Sequence, residues 1–280
     1  MKLYSIETGN LKLDGGAMFG VVPKVMWNKI YPADENNLCN WSMRCLLIAD
    51  NQRVILIDTG MGDKDDEKFT KHYHLNGNFS LISSLEKIGY RPEDVTDIIH
   101  THLHFDHCGG TIKFDSDKNL VPTFQNANLW VGEEHWELAT NPNNREKASF
   151  LKNNILPMLD SGKLKFIEKE GEILPDVFVT FYNGHTRGQV IPTIKVNQKT
   201  IIFCGDLFPS SAHIPMPYIM GYDMWAEETL RDKERFFKSA MENNSVLFFE
   251  HDIYNECATL VQTDKGVKVD KTFKLENWEY

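Results

Sequence analysis

No apolar run in this 280-residue chain approaches the roughly 20 residues that a membrane-spanning helix needs, so no segment is a candidate to cross a bilayer. The opening residues, Met1-Lys2-Leu3-Tyr4-Ser5-Ile6-Glu7, lack the apolar core of a secretory signal, and a cytoplasmic protein is the expectation. The five cysteines, Cys39, Cys45, Cys108, Cys204 and Cys257, are odd in number and form no Cys-x-x-Cys. That argues against a disulfide framework and a zinc ribbon, and for free thiols in a reducing compartment. Positive charge is in deficit: 30 Lys and Arg against 40 Asp and Glu give a net charge of -10. A surface of that sign repels phosphate backbones and anionic membranes, so neither is an expected partner. Short-period repeats, low-complexity tracts and biased linkers are absent too, which leaves a single domain over residues 1–280.

Short apolar runs alternate with helical patterns. Strands are predicted at 44–49, 53–57, 95–100, 129–131, 177–182, 193–196, 200–204 and 245–249. Several are apolar almost throughout, as strands covered on both faces are. Ser80 and Gly89 bound a predicted helix that puts Leu81, Ile82, Leu85 and Ile88 on one face. A second helix is predicted over 226–241, with Leu230, Phe237 and Met241 on its buried stripe. Residues 133–162, with a helical stretch at 145–159, read as a helical insert over the core. Strands alternating with helices imply an α/β layered domain.

The segment that carries chemistry is His100-Thr101-His102-Leu103-His104-Phe105-Asp106-His107-Cys108-Gly109-Gly110, directly after a predicted strand. In an extended loop His102 and His104 point the same way and can hold one ion together. Asp106 and His107, where the chain turns into the next element, can face a second. Imidazole nitrogen with carboxylate oxygen suits zinc and other first-row divalent metals. Three more candidate ligands follow other predicted strands: His185 in Asn183-Gly184-His185-Thr186-Arg187-Gly188, Asp206 in Cys204-Gly205-Asp206, and His251 in Glu250-His251-Asp252. Functional residues of layered α/β folds gather on loops at the carboxyl ends of strands.

The pattern from Asp58-Thr59-Gly60 to His251 resembles the metallo-β-lactamase superfamily, whose most specific signature is the His-x-His-x-Asp-His run followed by Gly-Gly. The resemblance implies an αββα four-layer sandwich and two divalent metal ions per chain, with zinc the first expectation. It implies His102, His104 and His185 on one ion, Asp106, His107 and His251 on the other, and Asp206 bridging both. Asp58 would support the ligands without being one. The resemblance also gives Asp106 the role of carrying a proton from the attacking water to the leaving group. Arg187 departs from the Pro often found after Gly-His-Thr, beside a ligand and not in place of one.

The stretch Asp14-Gly15-Gly16-Ala17-Met18-Phe19-Gly20-Val21-Val22-Pro23-Lys24, the Asp206-Leu207-Phe208-Pro209 continuation and the helical insert look like the branch of quorum-quenching N-acyl-homoserine lactonases and methyl parathion hydrolase. The expected reaction is attack of water, made acidic between two metals, on a lactone carbonyl. The alternative is a phosphotriesterase or arylesterase. A flavodiiron-type oxidoreductase is less favoured, since it would want a carboxylate where His104 stands. Met18, Phe19, Val21, Val22, Met26 and Trp27, and in the insert Trp136, Phe150, Leu151 and Leu156, suit core, a homodimer contact or the wall of a pocket for a neutral, partly apolar small molecule. Some homoserine lactonases carry a Tyr three residues beyond the bridging Asp; here that residue is Pro209. His213 and Tyr218 are the expected replacements as oxyanion donors, with Tyr222 also downstream. His72 and His74 are expected to be solvent-exposed.

Overall fold

The computed structural model describes all residues, Met1–Tyr280. The chain forms two compact units, Met1–Gly9 with Met43–Glu170, and Asn10–Ser42 with Gly171–Tyr280.

In the first unit the strands Val54–Ile57, Asp97–Ile99, Asn128–Gly132 and Leu164–Ile167 run parallel, with Ile57, Ile99 and Trp130 in register. Parallel neighbours need crossovers. One is the helix Leu81–Lys87, whose start is set by a reciprocal capping box between Ser80 and Ser83. Leu81 and Leu85 bury its inner face, while Ile82 and Ile88 are half-buried. The predicted insert is two helices, Glu133–Thr140 and Lys152–Asp160. Helix was expected from 145, but Asn143 accepts from the amides of Arg145 and Glu146, and that turn delays the second helix. Trp136, Phe150, Ile155 and Met158 of the insert join Leu56, Ile98 and Leu129 of the sheet in one apolar cluster. Each such side chain contributes about 1.5–3 kcal/mol on burial, which anchors the insert to the sheet.

The second unit contains a seven-stranded sheet. Its order is Gly266–Phe273, Cys257–Thr263, Val246–Phe248, Lys199–Phe203, Gln189–Val196, Val177–Tyr182 and Gly171–Leu174. Only Lys199–Phe203 and Val246–Phe248 pair in parallel, and the helix Ala226–Glu242 makes their crossover. The expected stripe on that helix is corrected. Leu230 is exposed and Met241 only partly buried, while Thr229, Asp232, Lys233, Phe236, Phe237 and Ala240 turn inward. The two charges can be buried because backbone groups meet them: Asp232 accepts from the amides of Asn183 and Gly184, and Lys233 donates to a set of carbonyls.

The eight predicted strands are present with ends shifted by a few residues. Unforeseen were the long strand Lys2–Asp14, the short strands Ile112–Phe114, Leu120–Pro122, Leu164–Ile167 and Gly171–Leu174, and the terminal hairpin of Cys257–Thr263 with Gly266–Phe273. In the stretch after Asp14, Met18, Phe19, Val22 and Trp27 are buried, while Val21, Val25 and Met26 are exposed. No helix is long and apolar enough to cross a membrane, and the five cysteines are free and buried.

Candidate metal centre

Four sequence-predicted ligands stand three residues beyond a strand end: His102 after Ile99, His185 after Tyr182, Asp206 after Phe203 and His251 after Phe248. Within each unit this spacing converts strand register into side-chain position.

In the first unit, Asp58 leaves its strand at φ 56°. Its carboxylate accepts from the Thr101 amide at 2.8 Å, the Thr101 hydroxyl at 2.6 Å and His107 Nδ1 at 3.1 Å. The Thr101 hydroxyl, having donated to Asp58, accepts from His102 Nδ1 at 3.0 Å. Both rings are thereby fixed with the proton on Nδ1 and the lone pair on Nε2. His102 Nε2 lies 3.0 Å from His104 Nδ1, and His107 Nε2 lies 3.8 Å from Asp106 Oδ2. The loop is held from the insert side as well. The Leu103 amide donates to His135 Nε2 at 2.8 Å, the Phe105 amide to the Ser149 carbonyl, and the Phe150 ring packs 4.9 Å from His104. A Cβ on Gly109 would stand 2.0 Å from the Met61 carbonyl, which is why the ligand run ends in glycine. Phe69, Tyr73 and Phe105 form an aromatic group, with Phe105, the residue before Asp106, 4.7 Å from Tyr73.

In the second unit, His185 Nδ1 meets Asp223 Oδ1 at 3.0 Å and His251 Nδ1 meets the Ser42 carbonyl at 2.7 Å. Carboxylate and carbonyl oxygens only accept, so both rings again present a lone pair on Nε2. Those two nitrogens face opposite oxygens of one carboxylate, His185 at 3.2 Å from Asp206 Oδ2 and His251 at 3.1 Å from Oδ1. The Asp206 amide donates to the Gln189 side chain. Gly184 admits no Cβ, which would fall 2.3 Å from the Thr229 hydroxyl on the helix that carries the His185 loop.

Lone pairs facing a carboxylate at hydrogen-bond distance repel unless a positive charge lies between them. The buried imidazole nitrogens and carboxylate oxygens are the donor set that first-row divalent cations take, and the hydrogen bonds behind the histidines are those expected of metal ligands. On this ground the residues fit the implied metals.

Sequence reasoning missed four supports: Thr101, Asp223, His135 and Ser42. Asp223, buried and also accepting from Thr229, is 38 residues from the histidine it orients. His213 is fully buried, stacked on Phe19 with centroids 4.7 Å apart. Its Nε2–H donates to the Met18 carbonyl at 2.9 Å, and its Nδ1 accepts from the Ser210 hydroxyl at 2.8 Å. Burial, against the opposing effect of the Met18 bond, lowers its pKa to about 3. Tyr218 is half-buried, its ring edge-on to Phe19. Tyr222, His72 and His74 are exposed, and Arg187 lies over the Trp225 ring at 4.5 Å.

An α/β scaffold that sets histidines and carboxylates just beyond several strand ends has the character of a metal-binding protein. The metallo-beta-lactamase superfamily matches residues 44–244, well over half of the chain, and the protein belongs to it and with it to the metal-dependent hydrolases. An N-acyl homoserine lactonase from Bacillus cereus is 26% identical over 281 residues, with 96% of each chain covered. A crystal structure described as a probable metal-dependent hydrolase from Staphylococcus aureus superposes with a TM-score of 0.89 at 30% identity, covering 99% of this chain and 98% of that one. A dizinc quorum-quenching lactonase in complex with a product shares the fold, with a TM-score of 0.77 at 22% identity and coverage of 97% and 95%.

Proposed function

We propose that this protein is a dinuclear metal-dependent lactonase that opens N-acyl-homoserine lactones or closely related cyclic esters. The observation that carries the reading is the uniform preparation of His102, His107, His185 and His251, each with Nδ1–H spent on a protein oxygen and Nε2 presented. The lactonase relatives supply the substrate class. In this reading residues 1–280 form one metallo-β-lactamase domain with residues 133–162 as insert, working in the cytoplasm. His102, His104 and His185 would hold one ion, Asp106, His107 and His251 the second, and Asp206 would be shared between them. Zinc is the first candidate for both. Two such ions, when bound, supply Lewis acidity toward the carbonyl and acidify water near neutral pH.

The chain's own residues do the rest. Water oxygen bonds to the lactone carbonyl carbon and the ring C–O bond breaks. Asp106 takes one proton from the attacking water and gives it to the departing ring oxygen, and the other proton leaves with the product carboxylic acid. Half-buried Phe69 and Tyr73, packed against buried Phe105, offer apolar surface to an acyl tail. His213, with both ring nitrogens spent on Met18 and Ser210, braces the segment after Asp206; the oxyanion donor is assigned instead to the Tyr218 hydroxyl.

The test is a side-by-side hydrolysis screen of metal-loaded protein on homoserine lactones of graded acyl length, aryl esters and a phosphotriester. Ring opening of the lactones with kcat/KM above the other classes is expected. Preference for the phosphotriester or aryl ester would replace the reading with that alternative.

A further inference from the structure

The helix Ala226–Glu242 buries a lysine on its inner face, and no step of the proposed reaction uses it. Lys233 has no exposed surface. Its Nζ lies 2.7 Å from the carbonyl oxygen of His213, 2.9 Å from that of Pro215, 3.3 Å from that of Met216 and 3.2 Å from that of Tyr218. The ring of Phe208 adds a face at 5.1 Å. An ammonium has only three protons, so four inward-pointing carbonyls around it form a cage of the kind that takes a monovalent cation.

The chain around the cage explains why it is needed. The segment from Pro209 to Tyr218 carries prolines at 209, 215 and 217, which have no N–H to give. Its backbone closes locally through His213 to Ser210, Ile214 to Ser211, Tyr218 to Pro215 and Ile219 to Pro217, none of which reaches the carbonyls of His213, Met216 or Tyr218. Carbonyls turned inward need donors from elsewhere, because an unmet buried carbonyl costs about as much as a lost hydrogen bond. A buried ammonium is itself expensive unless it is fully met, so the two costs cancel only with both partners in place.

We propose that Lys233 is a positioning residue: its ammonium serves as a built-in structural cation that folds residues 213–218 into one conformation and so sets the place of Tyr218. Burial pulls the Lys233 pKa down to about 7, with Asp223 opposing, which is the cost of holding a charge in this cage. The kinetic arm of the test rests on the lactonase reading; the structural arm does not.

The experiment uses full-length, metal-loaded protein. In Lys233→Ala, amide exchange across residues 211–221 should rise by about tenfold or more, since local opening is what the cage suppresses. Two ions per chain should be retained. On the best ester substrate, kcat/KM should fall by roughly 10²-fold, the scale of a small misplacement of a reacting group. n-Propylammonium replaces the deleted atoms and should restore both protection and rate, whereas n-propanol should restore neither. Exchange within about twofold of wild type, or equal rescue by the uncharged alcohol, overturns the proposal. If Lys233→Ala does not fold, the wild-type protein decides. A slowly exchanging Lys233 ammonium signal in ¹⁵N-lysine spectra supports the cage, and rapid exchange at that site refutes it. A protein with no lactonase activity but with the exchange effect and its rescue would retire the functional reading and leave this one standing.

Discussion

Acidification should destabilise the protein through His213 by an amount that its surroundings set. The ring is fully buried, and its pKa is held at about 3 against 6.5, chiefly by burial. A second proton on Nδ1 would also break the bond accepted from Ser210. Between these two pKa values the unfolded chain binds a proton that the native state does not. Native stability is therefore unaffected by this residue above pH 6.5 and falls as the pH drops below it, reaching its full loss near pH 3. The slope approaches about 1.4 kcal/mol per pH unit, so the loss between about pH 7 and about pH 5 is about 2 kcal/mol. The assay is urea unfolding of wild type and His213→Gln with metal in excess, at both ends of that interval. Glutamine can keep a donor toward Met18 and an acceptor toward Ser210 but cannot titrate. Subtracting the two proteins cancels the protonation of the other histidines, which is common to both. Wild type should lose about 2 kcal/mol relative to the variant across the interval. A difference that stays constant with pH would falsify the assignment of a neutral, buried imidazole.

Asp223→Asn, at the residue that orients His185, and Asp58→Asn, at the residue that orients His107, should each weaken metal affinity by about 10–100-fold in competition titrations; unchanged affinity at either would remove it from the support network. Asp206→Ala should cost metal occupancy and activity together, and elemental analysis that still finds two ions per chain would end the bridging assignment. Tyr218→Phe should lower kcat and kcat/KM together by roughly 10²-fold with metal content intact. A change confined to KM would make that hydroxyl a binding group, and no change at all would leave the oxyanion to the metals.

How much of this was legible in the sequence depends on the length scale of each interaction. The proposed ligands could be picked out because they cluster just beyond a few apolar strands. His102, His185, Asp206 and His251 follow apolar runs by a fixed short interval, and Asp58 follows another, so local pattern and chemistry coincide. Asp223, Thr101, His135 and Ser42 carry no such mark. Asp223 and Ser42 act on rings that tertiary folding brings to them, His135 takes a backbone amide 32 residues away, Thr101 is an ordinary hydroxyl beside a histidine, and Ser42 acts through a backbone carbonyl that any residue would supply. The terminal hairpin was missed for a related reason. Its strands bury little beyond Cys257 and Ala258, so the apolar run that betrayed the central strands is absent.

The helix Ala226–Glu242 shows the same limit from the opposite side. Its apolar residues Leu230 and Met241 suggested a buried stripe, yet Leu230 is exposed, and Asp232 and Lys233 lie on the covered face with Phe236 and Phe237. Reading hydrophobicity as burial assumes that a charge inside has nothing to meet. Here Asp232 meets the amides that begin the His185 loop, and Lys233 meets the carbonyls of the segment after Asp206. One helix face therefore ties down two loops that carry proposed site residues, and it does so through charges that periodicity places on the solvent side. Amides and carbonyls of this kind are present at nearly every position of any chain, so the partner that makes a buried charge affordable leaves no trace in composition or spacing.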